Sequence, residues 1–122
     1  MCDAGIKWDG EDAFRIFDAF LDMGGTVYDT ARVYSDWIPS EIGRSERVLG
    51  QWLRQSEKRH DIVLLSKGGH PDMTPSVPDM HASRISAENM RKDLELLLLH
   101  LVQIILIFIF ITEIMRRFLP EN

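Results

Sequence analysis

The sequence predicts an α/β fold in which short parallel β-strands alternate with helices. Two runs of β-prone residues are separated by segments whose apolar residues recur at helical spacing. Strands that alternate with helices in this way are typical of a layered fold with a parallel sheet. Two parallel strands cannot bury both of their faces or close a barrel, so we expect the 122 residues to form part of a larger architecture.

The first helix is predicted to follow Asp9, whose side chain can cap it, with the acidic Glu11 and Asp12 in its first turn. The apolar residues of this helix recur on one face, namely Phe14, Phe17 and Leu21, with Ala13 and Phe20 beside them. Gly24 and Gly25 then allow a left-handed turn, which ends the helix.

The first strand is predicted over residues 26–28 and ends at Asp29. Residues 30–43 are predicted to be a loop that leaves the carboxyl end of this strand. Ser45 is expected to cap a second helix. The apolar stripe of that helix consists of Val48, Leu49, Trp52 and Leu53.

The second strand, residues 61–66, is nearly all apolar, as expected when both faces of a strand are covered, and Lys67 stands at its end. Residues 68–84 form a long loop, and loops of that length in compact domains are usually functional or disordered. A third helix is expected to begin at Ser86. One side of this helix carries Met90, Leu94, Leu97 and Leu101.

Composition and charge argue against several classes of function. A formal net charge of -5, from 19 acidic and 14 basic residues without a basic stripe, argues against a nucleic-acid partner. Cys2 is the only cysteine, so an internal disulfide and a cysteine-rich zinc site are excluded, which favours a reducing compartment and a cytoplasmic location. The histidines lack paired metal-ligand spacing, so we predict no metal site and expect solvated or loop positions for His60, His70, His81 and His100.

Four segments within residues 10–101 resemble the aldo-keto reductase family, in the order that the family has them. They are GGTVYDTARVY, GRSERVLGQWL, DIVLLSKGG and RISAENMRKDLELLLLHL. The resemblance implies a (β/α)8 TIM-type barrel, of which this chain would supply only the N-terminal β/α units. It also implies an oxidoreductase that uses NADPH to reduce a small aldehyde or ketone, with catalytic residues at Asp29, Tyr34 and Lys67.

These three residue types suit the reduction of a carbonyl group. Hydride from a nicotinamide leaves an alkoxide that must receive a proton, and the family pattern assigns the donation to Tyr34. A free tyrosine is a weak acid at neutral pH, and the ammonium of Lys67 would favour its ionised form. Asp29 would keep that ammonium charged and oriented. Trp37, in the same loop as Tyr34, would line one side of a substrate pocket. The resemblance does not identify the cofactor-binding residues.

Simpler interpretations exist for each of the three residues when it is taken alone. Asp29 also suits a turn, Tyr34 a half-buried aromatic residue of a loop, and Lys67 a solvated strand end. The order and spacing of the four family segments favour the catalytic interpretation over these.

Residues 102–122 depart from the family pattern, which continues with a glycine, a short acidic stretch, a strand and a catalytic His followed by Arg and Asp. This chain has VQIILIFIFITEIMRRFLPEN instead. If one C is restored after a CAC codon for His100, permitted codons for the following residues encode LGTDYIDFYFYHRDNEEIPA, which contains the expected His-Arg-Asp. We therefore interpret residues 1–101 as the N-terminal part of the barrel and 102–122 as an apolar tail read out of frame after a frameshift. As it stands, the fragment is expected to lack activity and tight NADPH binding.

The apolar run of residues 96–111 leaves two other hypotheses open. It is short for a membrane span and is interrupted by His100 and Gln103, so membrane insertion is the weaker one. The β-branched and aromatic residues 104–111 also suit an aggregation-prone strand, through which the chain would self-associate. A third hypothesis is a non-enzymatic chain that adds its strands to a partner.

Overall fold

A computed structural model of the chain describes residues 10–82 and 84–101, and the backbone of residues 106–108. Its elements in chain order are α1 (Gly10–Asp22), β1 (Val27–Asp29), α2 (Arg44–Ser56), a 3-10 helix (Lys58–Asp61), β2 (Val63–Ser66), α3 (Ala87–Leu101) and β3 (Leu106–Phe108). The three predicted helices and two predicted strands are therefore present, in the predicted order. Cys2, the predicted cap Asp9 and most of segment 102–122 lie outside the described residues.

The described strands form one parallel sheet in the order β1-β2-β3. Tyr28 pairs with Leu64 between β1 and β2, and Leu64 pairs in turn with Leu106 of β3. The predicted parallel α/β arrangement is confirmed. The sequence predicts only two strands and not β3, because the apolar run after α3 is interpreted there as a tail outside the fold.

The turn after α1 forms as the two glycines predict. Gly24 has a φ of 90°, in the left-handed region, and the Gly25 N–H donates to the Phe20 carbonyl at 2.9 Å. A Cβ atom on Gly25 would lie 2.3 Å from the Phe20 ring. The first glycine is therefore needed for its conformation, and a side chain at the second would displace the Phe20 ring.

An aromatic cluster joins the helices to one face of the sheet. The Tyr28 ring stacks on the Trp52 indole with centroids 5.3 Å apart, and Phe17 of α1 packs edge-on against Tyr28. The Trp52 Nε1–H donates to an Asp18 carboxylate oxygen at 2.9 Å, so the buried indole has its polar partner. The core position predicted for Trp52 is confirmed. The buried core also contains Ala13, Leu49, Leu53, Ile62, Leu64, Leu97 and Leu101.

The opposite face of the sheet is open. The side chains of Val27 and Val63 are 48% and 43% exposed, and these two residues are register partners on neighbouring strands. The expectation that both faces of the second strand are covered is therefore wrong, since only Leu64 and Ser66 of that strand are buried.

Three details of the helices differ from the prediction. The residue at the N-terminal boundary of α2 is Gly43, in a left-handed conformation without a side-chain cap, and Ser45 lies inside the first turn. On α3, Asp93 is buried where Leu94 was expected, and Leu94 is 36% exposed. The third helix, expected to begin at Ser86, begins one residue later at Ala87, and the Ser86 hydroxyl accepts from the Asn89 N–H at 3.1 Å.

Candidate active site

The carboxyl ends of β1 and β2 bring together two of the residues predicted for the site. Asp29 is the last residue of β1, and Lys67 immediately follows β2. Because parallel strands end at the same edge of a sheet, residues 38 positions apart in the chain become neighbours. The Lys67 ammonium donates a hydrogen bond to the Asp29 carboxylate and another, at 2.7 Å, to the Thr30 carbonyl.

Tyr34 reaches the same place from the loop that follows β1. The Lys67 Nζ lies 5.1 Å from the centroid of the Tyr34 ring, over its face, which is within the range of a cation–π contact. The Lys67 side chain is 19% exposed, whereas that of Asp29 is 44% exposed. The structure thus brings Asp29, Tyr34 and Lys67 together at one edge of the sheet. Within the ion pair, the Lys67 side chain is less exposed to solvent than that of Asp29.

The loop of residues 30–43 is well packed for a segment without helix or strand. The Asp36 carboxylate accepts a hydrogen bond from Arg32 at 2.9 Å and another from the Gly43 N–H at 2.7 Å, so it joins the beginning of the loop to its end. The loop N–H of Arg32 also donates to the Lys67 carbonyl at 3.0 Å. These contacts hold the segment that carries Tyr34. Trp37 lies in this loop and is 45% exposed, which leaves its indole available to solvent.

The second loop at this end of the strands is held by a buried carboxylate that the sequence pattern did not indicate. Asp93 of α3 is 1% exposed and accepts from the Gly69 N–H at 2.9 Å and from Arg84 at 3.1 Å. Gly69 is two residues beyond Lys67, so this contact fixes the chain as it leaves β2. The sequence did not predict this burial, because a polar residue such as Asp93 between the apolar positions of a helix is usually expected at the surface.

The first turn of α2 supplies two further buried polar residues. Ser45 lies 2.9 Å from the Thr30 hydroxyl, and Glu46, which is fully buried, accepts from the Ser66 hydroxyl at 2.7 Å. The segment GRSERVLGQWL was recognised as a family segment, but the roles of these two residues in it were not. The expectation of a solvated or loop position is wrong for His100, which is in α3 and 3.6 Å from Glu46.

The other three histidines lie in the 3-10 helix and in the loop after β2, in agreement with the predicted solvated or loop positions. His60 is exposed in the 3-10 helix, and His70 and His81 lie in the loop after β2. Among the described residues, no cluster of three or more His, Cys, Asp or Glu side chains is arranged to hold a metal ion. Within the same residues, no helix combines the length and hydropathy that a membrane span requires.

The chain is similar in sequence to several known proteins. The chain is 33% identical over 92 residues to the uncharacterized oxidoreductase YrpG of Bacillus subtilis, which covers 75% of this chain and 28% of YrpG. It is 32% identical over 80 residues to the aryl-alcohol dehydrogenase GME11368 of Pestalotiopsis microspora, covering 55% of this chain and 19% of that enzyme. It is also 34% identical to an uncharacterized 11.2 kDa protein from the crtE 3' region of Pseudescherichia vulneris, over 70% of this chain and 78% of that protein.

A solved structure assigned to the aldo-keto reductases, from Pseudomonas aeruginosa, superposes with a TM-score of 0.64 at 28% identity. The match covers 88% of this chain and 38% of that one, so the described sheet and helices correspond to part of a TIM-type barrel. The chain spans less than a third of the length of YrpG and of GME11368. The model of the Aldo/keto reductase family matches residues 4–104, and the chain belongs to that family.

Proposed function

We propose that this chain carries the proton-donating part of an NADPH-dependent carbonyl reductase site. The observation that carries the proposal is the position of the Lys67 ammonium, which is bonded to Asp29 and lies over the ring of Tyr34. An oxidoreductase function is supported by the relatives YrpG and GME11368, which are named an oxidoreductase and an aryl-alcohol dehydrogenase. What we add is the assignment of these three residues to the transfer of the proton.

In the proposed reaction, the carbonyl oxygen of an aldehyde or ketone lies beside the Tyr34 hydroxyl. As the oxygen gains negative charge, the hydroxyl transfers its proton, and the Lys67 ammonium stabilises the tyrosinate that results. Asp29 and the Thr30 carbonyl accept hydrogen bonds from the ammonium and thereby fix its position. Trp37, exposed in the same loop as Tyr34, would contact the apolar part of the substrate.

A nicotinamide cofactor, when bound, would supply the hydride. The described residues fit the reacting end of such a cofactor better than its phosphates. The cations in the described loops after β1 and β2 each have a carboxylate partner: Arg32 with Asp36, Lys67 with Asp29 and Arg84 with Asp93. The phosphates would therefore have to be bound elsewhere in the protein, and we expect this chain alone to bind NADPH weakly and to lack turnover.

The proposal includes the origin of residues 102–122. With permitted codons chosen for the residues from His100 onward, restoring one base after the His100 codon gives a reading frame that contains the His-Arg-Asp expected from the family. We infer that residues 1–101 are the N-terminal part of the barrel and that the remaining segment is translated out of frame. Resequencing of the gene across this codon tests the inference, and an intact frame on repeated reads would contradict it.

The decisive experiment measures NADPH oxidation with a generic aromatic aldehyde. It compares the present chain, the frame-repaired protein, and the frame-repaired protein with Tyr34→Phe. We expect turnover only in the unsubstituted repaired protein. Equal turnover by the present chain would show that the missing segments are dispensable, and full activity of the Tyr34→Phe variant would remove Tyr34 from the proton transfer.

A cytoplasmic location is part of this proposal, supported by the single cysteine among 122 residues. Self-association through the apolar segment is the alternative role, and the observation that favours it is that Leu106–Phe108 forms an outer strand of the described sheet. Cell fractionation separates the two cases. Recovery in the soluble fraction supports the first, whereas a pellet that dissolves in urea but not in detergent supports the second.

A further inference from the structure

The first turn of α2 contacts the chain on both sides of the Asp29–Lys67 ion pair. Ser45 meets Thr30, the residue that follows Asp29, with 2.9 Å between the two hydroxyl oxygens. The next residue, Glu46, accepts a hydrogen bond of 2.7 Å from the hydroxyl of Ser66, the residue that precedes Lys67. Two consecutive residues of one helix therefore fasten the ends of two different strands.

Both contacts are shielded from water. Thr30 and Ser45 are 1% and 6% exposed, and Glu46 and Ser66 are fully buried. A buried polar group that loses its partner keeps the full cost of desolvation, so these hydrogen bonds strongly favour one arrangement of the strand ends. The helix thereby fixes residues that an isolated strand end would leave free to move.

The contact of Thr30 bears directly on the lysine. The Thr30 carbonyl accepts a hydrogen bond from Lys67 Nζ at 2.7 Å, and its N–H donates to the Leu65 carbonyl at 2.9 Å. The threonine side chain is fixed by Ser45, so the direction of the carbonyl is fixed as well. The titratable groups described against the ammonium are Asp29 and Tyr34.

We propose that Ser45 and Glu46 are positioning residues for Lys67. Ser45 acts through Thr30, whose carbonyl accepts from Lys67, and Glu46 acts through Ser66, whose hydroxyl it binds and which precedes Lys67. The consequence for catalysis rests on the proposed function, but the position of the ammonium is measurable without any turnover. The family segment GRSERVLGQWL then has a role in the site beyond forming a helix.

The test is competitive acetylation of the full chain with trace acetic anhydride, read for each lysine by peptide mass spectrometry as a function of pH. Lys58, at the start of the 3-10 helix, serves as the internal reference. In Ser45→Ala, we expect the Lys67 profile to move to lower pH and its reactivity near neutral pH to rise about threefold, because the ammonium loses part of its support. Ser45→Thr keeps a hydroxyl and is expected to retain the parent profile.

Glu46 is tested by a second pair of variants. Glu46→Met removes the acceptor for the Ser66 hydroxyl and is expected to shift the Lys67 profile in the same direction. Glu46→Gln keeps an oxygen that can accept this bond and is expected to shift it less. If the glutamine variant shifts the profile as far as the methionine variant, then the charge of Glu46 acts on the lysine and its positioning role is refuted.

Val48→Ala is the matched control on the same helix, because Val48 packs against the core. It lowers stability without removing either polar contact, and we expect the Lys67 profile to stay in place. A Lys67 shift in Val48→Ala equal to that in Ser45→Ala, or no shift in Ser45→Ala, overturns the proposal. Failure of the proposed function would instead appear as missing NADPH turnover in the frame-repaired protein, with the acetylation profiles unaffected.

Discussion

At the scale of single residues, Tyr28 couples the core to pH. Its hydroxyl donates to the Phe17 carbonyl at 2.6 Å, and its ring is 2% exposed. Burial raises the pKa of Tyr28 above 10.0, and the negative charges of Asp18 and Asp22 raise this pKa further. In the unfolded chain the phenol ionises near its ordinary value, so the folded state holds a proton that the unfolded state has lost.

This difference predicts alkaline destabilisation. The stability contributed by neutral Tyr28 is fully present below about pH 10 and is lost as pH rises through the folded-state value. Tyr28→Phe is expected to lower stability by about 1 kcal/mol at neutral pH, because the hydrogen bond is lost, and to flatten the alkaline limb. Urea unfolding between neutral pH and the alkaline limb measures both effects.

Tyr34→Phe provides the control, since Tyr28 and Tyr34 are the two tyrosines of the chain. Tyr34 is only half-buried, so its substitution shows how much of the alkaline limb belongs to the buried Tyr28. If the alkaline limb disappeared in Tyr34→Phe and persisted in Tyr28→Phe, the assignment of the effect to Tyr28 would be contradicted.

For single residues, the sequence predicted the structure where the residue type strongly favours one conformation or environment. Gly24 was predicted from its tolerance of positive φ, and Trp52 from its position in an apolar stripe. Buried polar residues were not predictable in this way. Ser45 looked like a cap because serine commonly caps helices, whereas its partner, the hydroxyl of Thr30, lies 15 positions away in the chain and is known only from the fold.

At the scale of elements, Gly50 allows α2 and α3 to approach closely. A Cβ atom at this position would lie 1.8 Å from the His100 carbonyl oxygen, which belongs to the backbone of α3 and cannot rotate away. Gly50→Ala is therefore expected to cost about 2 kcal/mol, even though alanine is the better helix former. Thermal or urea unfolding followed by circular dichroism measures the loss.

Gly10→Ala is the matched control, because Gly10 is in α1 and a Cβ atom there would meet nothing within 4 Å. Its effect should stay within about 1 kcal/mol of zero, as helix propensity alone would give. A Gly50→Ala protein as stable as the parent would mean that the two helices can separate at no cost.

The loop between β2 and α3 depends on Asp93. Asp93→Ala removes the acceptor for both the Gly69 N–H and Arg84, and we expect a loss of about 2 kcal/mol. The estimate stays moderate because Arg84 is 27% exposed and can be solvated. Limited proteolysis should then cut residues 71–82 faster. Glu95→Ala, at an exposed position of the same helix, should leave the cleavage rate unchanged.

The ends of the helices could be predicted from local chemistry better than the number of strands could. The end of α1 and the start of α3 depend on glycines and on a serine cap that act within a few residues. β3 could not be assigned in this way, because a short apolar run suits a strand and a buried helix alike. Only its pairing with β2 makes Leu106–Phe108 a strand of this sheet.

At the scale of the whole molecule, Asp29, Tyr34 and Lys67 come together at the carboxyl ends of β1 and β2. One face of the same sheet is packed against helices, and the other face is open to solvent. The sequence predicted the assembly because the family segments carry these residues in order. It did not predict the open face, because an apolar strand has the same residue pattern whether or not other elements cover its two faces. Val27 and Val63 are the exposed residues that a closed barrel would enclose.

The open face leads to a final prediction about surface hydrophobicity. Two neighbouring valines on adjacent strands form an apolar patch, and such patches bind hydrophobic dyes. We expect the present chain to enhance the fluorescence of anilinonaphthalene sulfonate, and the double substitution Val27→Thr and Val63→Thr to reduce the enhancement while keeping β-propensity. Val77→Thr changes an 84% exposed loop valine and should have a smaller effect. The frame-repaired protein, whose added strands would cover this face, should bind least dye. Equal dye binding by the repaired and present proteins would mean that the added residues do not close over Val27 and Val63.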